Sequence, residues 1–270
     1  MPELAEVEFM RRRWDAALGD AVTGVELHSR ARTFRNVDTA ALARGLRHAT
    51  LTASQRSGKQ MLFGFGDAGW LGIHLGMTGE LRVETRAHPA TRHDHLELRQ
   101  AGRSLVFTDP RMFGAVDWTP GKDPPAWWTT RPPEILERGF TLSLMSTFLE
   151  RRGRAPIKSV LLMQERFPGI GNWMADEVLW RARIHPGRSA GSLHKREQAA
   201  LHRALRYVCR MAIETVAQGG ADGAWADPPS GWLFHERWSH GGTCPATGAP
   251  LVRETIGGRT TCWSPAVQKW

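Results

Sequence analysis

Three cysteines in 270 residues are too few for a disulfide framework, and no apolar run is long enough to span a bilayer. Acidic residues are also scarce: 27 Asp and Glu stand against 36 Lys and Arg, a formal net charge of +9. The carboxylates that are present form no cluster suited to two catalytic metal ions. Internal repeats and low-complexity stretches are missing, and the acidic N-terminus does not resemble a signal peptide. Together these absences argue against a disulfide-stapled secreted scaffold, a membrane-spanning protein and a two-metal nuclease. The expectation is an intracellular, cytoplasmic protein. What remains is a chain that is 41% hydrophobic, enough to bury the cores of two compact domains. Its positive field favours polyanionic partners, nucleic acid among them.

Periodicity divides the chain. Leu4, Val7, Met10, Trp14 and Leu18 recur at helical spacing and predict an amphipathic helix over residues 4–19. Residues 22–118 read as strands: the runs 60–65, 71–75, 95–98 and 105–108 are separated by turns containing Gly and Asp. A β-sandwich or flattened barrel with the first helix at one end is expected. Residues 120–133 break every period with several prolines and read as a linker. Helical patterning resumes over 142–150, 157–165, 173–182 and 193–218, and residues 234–270 read as a small β-hairpin unit. The class is therefore α+β, with boundaries at 1–119, 120–133, 134–232 and 233–270.

The residues that carry chemistry begin at the N-terminus. If Met1 is removed, Pro2 presents a secondary amine that can attack a sugar carbon and collapse to a positively charged iminium. Glu3 stands beside it, where a carboxylate can pass protons. The structural alternative is that Pro2 simply opens a helix. Lys59 follows Gly58 in a turn, as a solvated cap or as a phosphate contact and proton donor. The loop His74-Leu75-Gly76-Met77-Thr78-Gly79 brings Met77 to a tip, and Asp109-Pro110-Arg111-Met112-Phe113-Gly114 offers an Arg and a Phe suited to wedging into a base stack. Gly169-Ile170-Gly171-Asn172 precedes a helix, where backbone amides and the helix dipole can receive a phosphate.

In this order, PELxEVE, the Lys59 turn, HLGMTG, His93-Asp94-His95, DPRxFG and GIGNxxADEVLxRARIHP resemble the formamidopyrimidine-DNA glycosylase/endonuclease VIII family of base-excision repair enzymes. The resemblance covers nearly the whole chain. It implies an N-terminal β-sandwich with its helix, a helix–two-turn–helix domain with a lesion-capping loop, and a C-terminal finger. Pro2 is then implied to be the nucleophile at C1′, Glu3 the proton relay and Lys59 a phosphate contact and proton donor. Met77, Arg111 and Phe113 match the trio that fills the gap left by an everted nucleotide. His93, Arg154, Lys158 and Asn172 match contacts to the DNA backbone, and Arg259 the grip on the phosphate beside the lesion. The implied activity is a bifunctional glycosylase and AP lyase for oxidised purines. It would act as a monomer on double-stranded DNA carrying oxidised bases or abasic sites, with no cofactor and no membrane. An oxidised-pyrimidine preference and a non-catalytic binder of damaged DNA are the alternatives.

The chain departs from the family at three places, of which one, Met163 where the family often has Asp, concerns packing only. The finger usually holds zinc with four cysteines, but here the positions read Cys244, Thr247, Ser264 and Val267. Four N or S ligands are needed for a structural zinc, so a zincless finger is expected, held by packing of Trp232, Trp238 and Trp263. The loop 219–232 also lacks the usual family sequence, and Trp225 within it is a candidate for stacking on a base.

Overall fold

A computed structural model describes residues 1–28, 30–219 and 223–270. Gly220, Ala221 and Asp222, part of the loop read as capping the lesion, lie outside the described residues. The chain forms two compact units: residues 1–2 with 6–131, and residues 3–5 with 132–270.

The first unit is a sandwich of two antiparallel four-stranded sheets. In chain order its elements are α1 (Leu4–Arg13), β1 (Gly24–Leu27), α2 (Thr39–Leu46), β2 (Ala53–Ser57), β3 (Gln60–Gly64), β4 (Gly69–His74), β5 (Glu80–Thr85), β6 (Asp94–Arg99), β7 (Arg103–Thr108), β8 (Ala115–Pro120) and α3 (Ala126–Thr129). One sheet is ordered β1-β6-β7-β5 and the other β2-β3-β4-β8. Trp14, Phe63, Leu71, Leu98 and Phe107 fill its core with essentially no exposed surface.

The first helix ends earlier than its apolar spacing suggests, and a 3-10 turn over Trp14–Ala17 replaces its last part. That turn has a purpose in packing. Trp14 donates its indole N–H to the Arg82 carbonyl of β5, and Arg11 donates to Ser54 of β2. Both are edge strands, so the segment covers an open edge of each sheet.

Residues 120–133 are not a plain linker. They contain α3, and Trp128 is buried with its indole N–H donated to Gln55 Oε1. Prolines set the local breaks, but a distant amide on β2 fixes where the segment lies.

The second unit contains α4 (Leu142–Arg151), α5 (Ile157–Leu161), α6 (Asn172–Ala182), α7 (Lys195–Thr215) and the hairpin β9 (Val252–Ile256)–β10 (Arg259–Trp263). Helix α6 runs through the middle, with residues 173–180 all buried. Phe140, Phe148, Phe167, Leu179, Leu205 and Val208 pack in the same core, joined by Leu4 and Ala5. The helix expected over 157–165 stops at Leu161 because Gln164 staples the following turn: its Nε2 donates to the Ile170 carbonyl and its Oε1 accepts from Gly169 N. No helix among the described residues is long and apolar enough to cross a membrane.

Candidate active site and nucleic-acid interface

Glu3 is buried, and its carboxylate sits on the N-terminus of α6. It accepts from Gly171 N at 3.0 Å, Trp173 N at 3.0 Å and Met174 N at 3.1 Å. These are the orphan amides of a helix start, so the carboxylate caps the helix and meets the positive end of its dipole. The Gly-Ile-Gly turn was expected to receive a phosphate. Its amides receive Glu3 instead, because the carboxylate arrives from the other end of the chain and occupies the same positions. Gly171 has to be a glycine here, since a Cβ would collide with the Glu3 side chain. Leu4 N donates to the Gly169 carbonyl, so two consecutive residues are pinned to the turn. Pro2, joined to Glu3 by its peptide bond, is buried, whereas Met1 is 57% exposed.

Lys59 lies in the β2–β3 turn and is largely buried. His74 ends β4, and its Nδ1 accepts from Gly76 N. Burial, then the charges of Lys59 and Arg35, hold the His74 imidazole below its ordinary value. The two cations make this end of the sandwich electropositive.

The residues proposed to fill the DNA gap come together in the first unit. The Met77 loop leaves β4 and the Arg111–Phe113 loop enters β8, next to each other where His74 pairs with Ala115. Met77 is 44% and Phe113 45% exposed, unusual for large apolar side chains. The Arg111 guanidinium lies 4.9 Å from the Phe113 ring centroid, a cation–π contact that joins the two. Gly76 has φ +64°, and a Cβ there would run into the Phe113 backbone, so the loops touch main chain to main chain. His93 is half-buried, and its carbonyl accepts from Asp109 N and Thr108 Oγ1, which ties it to the same corner. Its neighbour Asp94 is pushed up by burial, but hydrogen bonds from His88 and Thr91 and the Arg82 charge outweigh this and hold it below its usual value.

In the second unit Asn172 opens α6, and its Nδ2 donates to the Thr260 carbonyl of β10 at 2.8 Å. Arg259 is exposed at the start of that strand. The hairpin tip is a two-residue turn in which Gly257 and Gly258 have φ +59° and +75°, the conformation a tight right-twisted hairpin requires. Arg154 is exposed in the turn before α5. Lys158 is a correction. Its side chain has no exposed surface, and Nζ donates to Asp176 Oδ1 at 2.5 Å and to the Asn172 carbonyl at 2.6 Å. An ammonium held there is not placed for direct contact with a phosphate. Burial pushes it down from its ordinary pKa against the opposing pull of Asp176. No sequence pattern pointed to its partners: Asp176 was visible only within the family motif, and Arg237, which donates to Asp176 Oδ2 at 2.7 Å, not at all.

The residues present do not fit a structural zinc. Cys244, Trp180, Leu233 and Cys262 form an apolar cluster, with Val267 packed against it. Val267 offers no ligand atom, and Thr247 and Ser264 offer hydroxyls where thiolates are needed. Among the described residues, no three His, Cys, Asp or Glu side chains are grouped to hold a metal ion. Burial pushes the Cys244 thiol up, but the Ser264 and Thr247 hydroxyls and other donors around its sulfur outweigh it and bring it to about 7. Burial and the Asp176 charge push Cys262 up to about 11. The three tryptophans expected to replace the metal do not do so together. Trp232 belongs to the helical core, Trp238 is 58% exposed, and Trp263 packs on His185 at 4.2 Å.

The chain is similar to known proteins in sequence and fold. The profile of the formamidopyrimidine-DNA glycosylase N-terminal domain matches residues 1–116, and that of the formamidopyrimidine-DNA glycosylase H2TH domain matches residues 132–222. The formamidopyrimidine-DNA glycosylase of Geobacter sulfurreducens is 37% identical over 280 aligned positions, covering 100% of both chains. Lactococcus lactis Fpg (MutM), solved with DNA containing N7-benzyl-Fapy-dG, superposes with a TM-score of 0.87 at 27% identity and covers 100% of both chains. The same protein solved with DNA containing an oxidised pyrimidine gives 0.87 at 28% identity, again with 100% of both chains covered.

Proposed function

This chain belongs to the formamidopyrimidine-DNA glycosylase family, and we propose that it is a bifunctional DNA glycosylase and AP lyase that removes oxidised purines such as 8-oxoguanine and formamidopyrimidines. The observation that carries the reading is the Pro-Glu pair at residues 2–3, with Glu3 lodged on three amides at the start of α6. A carboxylate fixed in this way also fixes the residue before it. Precise placement of a nucleophile is what converts a weak amine into an effective catalyst.

After removal of Met1, the Pro2 nitrogen bonds to C1′ as the glycosidic bond breaks and the base leaves with a proton. Ring opening gives an iminium between Pro2 and C1′. Loss of a C2′ proton then expels the 3′ phosphate, and a second elimination expels the 5′ phosphate. The product is a one-nucleotide gap flanked by phosphates. Glu3 relays protons to the opening sugar, and Lys59 supplies a phosphate contact and a proton during elimination. Met77, Arg111 and Phe113 fill the place of the everted nucleotide, which must leave the stack for C1′ to be reached. His93, Arg154, Asn172 and Arg259 grip the backbone, while Lys158 acts on it indirectly by holding Asn172. In this reading residues 1–119 carry the nucleophile, and residues 134–232 and 233–270 hold the duplex. The protein works as a monomer in the cytoplasm, on the nucleoid, where its substrate is.

Borohydride trapping tests the reading directly. With EDTA present, duplexes carrying 8-oxoguanine, an oxidised pyrimidine or an abasic site are incubated with the protein and reduced. A covalent adduct strongest on 8-oxoguanine and lost in Pro2→Gly is expected. An oxidised pyrimidine trapped best would reassign the lesion class. Salt-sensitive binding with no adduct on any duplex would leave a damage-binding protein without the chemistry.

A further inference from the structure

Asp109 lies at the corner where the first unit crosses twice between its sheets. The Met77 loop carries the chain from β4 to β5, and the Arg111–Phe113 loop carries it from β7 to β8. At one end of the two crossings His74 pairs with Ala115, and at the other Glu80 pairs with Thr108. The crossings therefore run side by side, and Asp109 is buried between them.

Its carboxylate bonds to both. Oδ1 accepts from Thr78 Oγ1 at 2.6 Å, next to Met77, and from Arg111 N at 3.3 Å. Oδ2 accepts from Gly114 N at 2.7 Å, next to Phe113. The main chain is equally engaged: the Asp109 carbonyl receives Met112 N and the His95 imidazole, and Asp109 N donates to the His93 carbonyl. Met112 has φ +52°, rare for a side chain of its kind, and its N–H is one of those held. A single carboxylate thus links Arg111 itself and the residues adjoining Met77 and Phe113.

We propose that Asp109 is a positioning residue for gap filling, which locks the Met77 loop and the Arg111–Phe113 loop into one rigid wedge so that all three side chains enter the stack together. This rests on the glycosylase reading above. The geometry requires a carboxylate. An amide has one acceptor oxygen and one NH2 group, and the backbone N–H groups of Arg111 and Gly114 cannot turn away from a donor. In Asp109→Asn, either orientation of the amide turns its NH2 group toward a backbone N–H of the Arg111–Phe113 loop, Gly114 N in one and Arg111 N in the other, while the Thr78 hydroxyl can donate or accept. The Arg111–Phe113 loop then loses a tie to Asp109 and is no longer held in register with the Met77 loop.

The test separates wedge function from chemistry. Two substrates are compared under single-turnover conditions: a duplex with a paired 8-oxoguanine, and a single-stranded oligonucleotide with an abasic site, which has no stack to open. Asp109→Asn should lower excision from the duplex by about 10- to 100-fold, while borohydride trapping on the single strand stays within about 2-fold of the parent. Thr78→Val removes one link and should give a smaller loss of the same kind, restored in Thr78→Ser. A 2-aminopurine beside the lesion should show a slowed stacking change in Asp109→Asn. Equal losses on both substrates, or an unchanged duplex rate, would overturn the proposal. If Asp109→Asn fails to fold, the Thr78 pair decides by the same criterion. A parent protein that forms no adduct on either substrate would instead mean that the glycosylase reading has failed.

Discussion

Asp109 in the sandwich and Asp176 in the helical unit are both buried and both gather segments far apart in sequence, but with partners of different kinds. Asp109 receives a threonine hydroxyl and backbone amides from two loops. Asp176 receives the Lys158 ammonium, the Arg237 guanidinium and Cys262 N, which join α5, the segment after Leu233 and the hairpin to α6. A hub of neutral donors can let go of one partner at the expense of a single hydrogen bond. A hub of buried charges cannot, because any partner released is left as an ion without water. The first suits the two loops proposed above to enter the DNA stack. The second suits a finger that has no metal to hold it.

Four measurements would sharpen or break this contrast. The largest effect is expected in Asp176→Asn, which leaves Lys158 and Arg237 buried without a full counter-charge; denaturant unfolding should show a loss of about 3–5 kcal/mol. A loss under 1 kcal/mol would mean the finger is held by its apolar cluster instead.

The second measurement compares the units by pH. Burial pushes the Glu177 carboxyl from its usual value near 4.5 to about 7, against the pull of Arg181 and of the Leu233 and Phe234 amides. The folded value lies above the unfolded one, so its contribution is complete below about 4.5 and lost as pH rises through 7. Glu177→Gln should flatten a decline of about 3 kcal/mol in the stability of the helical unit between those limits.

Glu8, in the sandwich, should behave in the opposite sense. Burial raises it, but Arg11, Arg12 and Arg56 outweigh this and lower it to about 2. Its contribution is complete above about 4.5 and lost as pH falls towards 2. Thermal melts of the parent and Glu8→Gln should differ by about 2 kcal/mol at neutral pH and converge in acid. Units that titrate in the same direction would contradict the contrast. The smallest effect expected is that of chelation. Prolonged EDTA should leave both melting and duplex cleavage unchanged, because the finger offers hydroxyls and Val267 where a zinc would need thiolates.

How much of this was legible in the sequence depended on the distance between partners. The strands around Met61, Ile73, Leu96 and Phe107 could be read because turns and apolar runs are local properties. The chemistry proposed at Pro2 and the wedge proposed at Arg111 and Phe113 each rest on a motif a few residues long. Three readings went astray for one reason. The α6 amides meet Glu3 rather than a phosphate, Lys158 turns inward, and Trp128 docks on Gln55. In each case the deciding partner lies elsewhere along the chain, and no pattern around the residue announces it. The tryptophans of the finger are a related case: composition showed that large rings were present but not which core each would join.

The Glu3 cap has a consequence for how the protein is made. Residues 3–5 pack with the helical unit, yet Glu3 lies 168 residues before Gly171, whose amide it receives. On the ribosome this segment emerges long before α6, and it has to stay uncommitted until the α6 amides appear. Leu4 and Ala5 contribute to the helical core, so residues 132–270 produced alone would begin α6 with bare amides and a gap where those side chains belong. The sandwich can form on its own schedule, but the helical unit is completed only when residues 3–5, made long before it, join it.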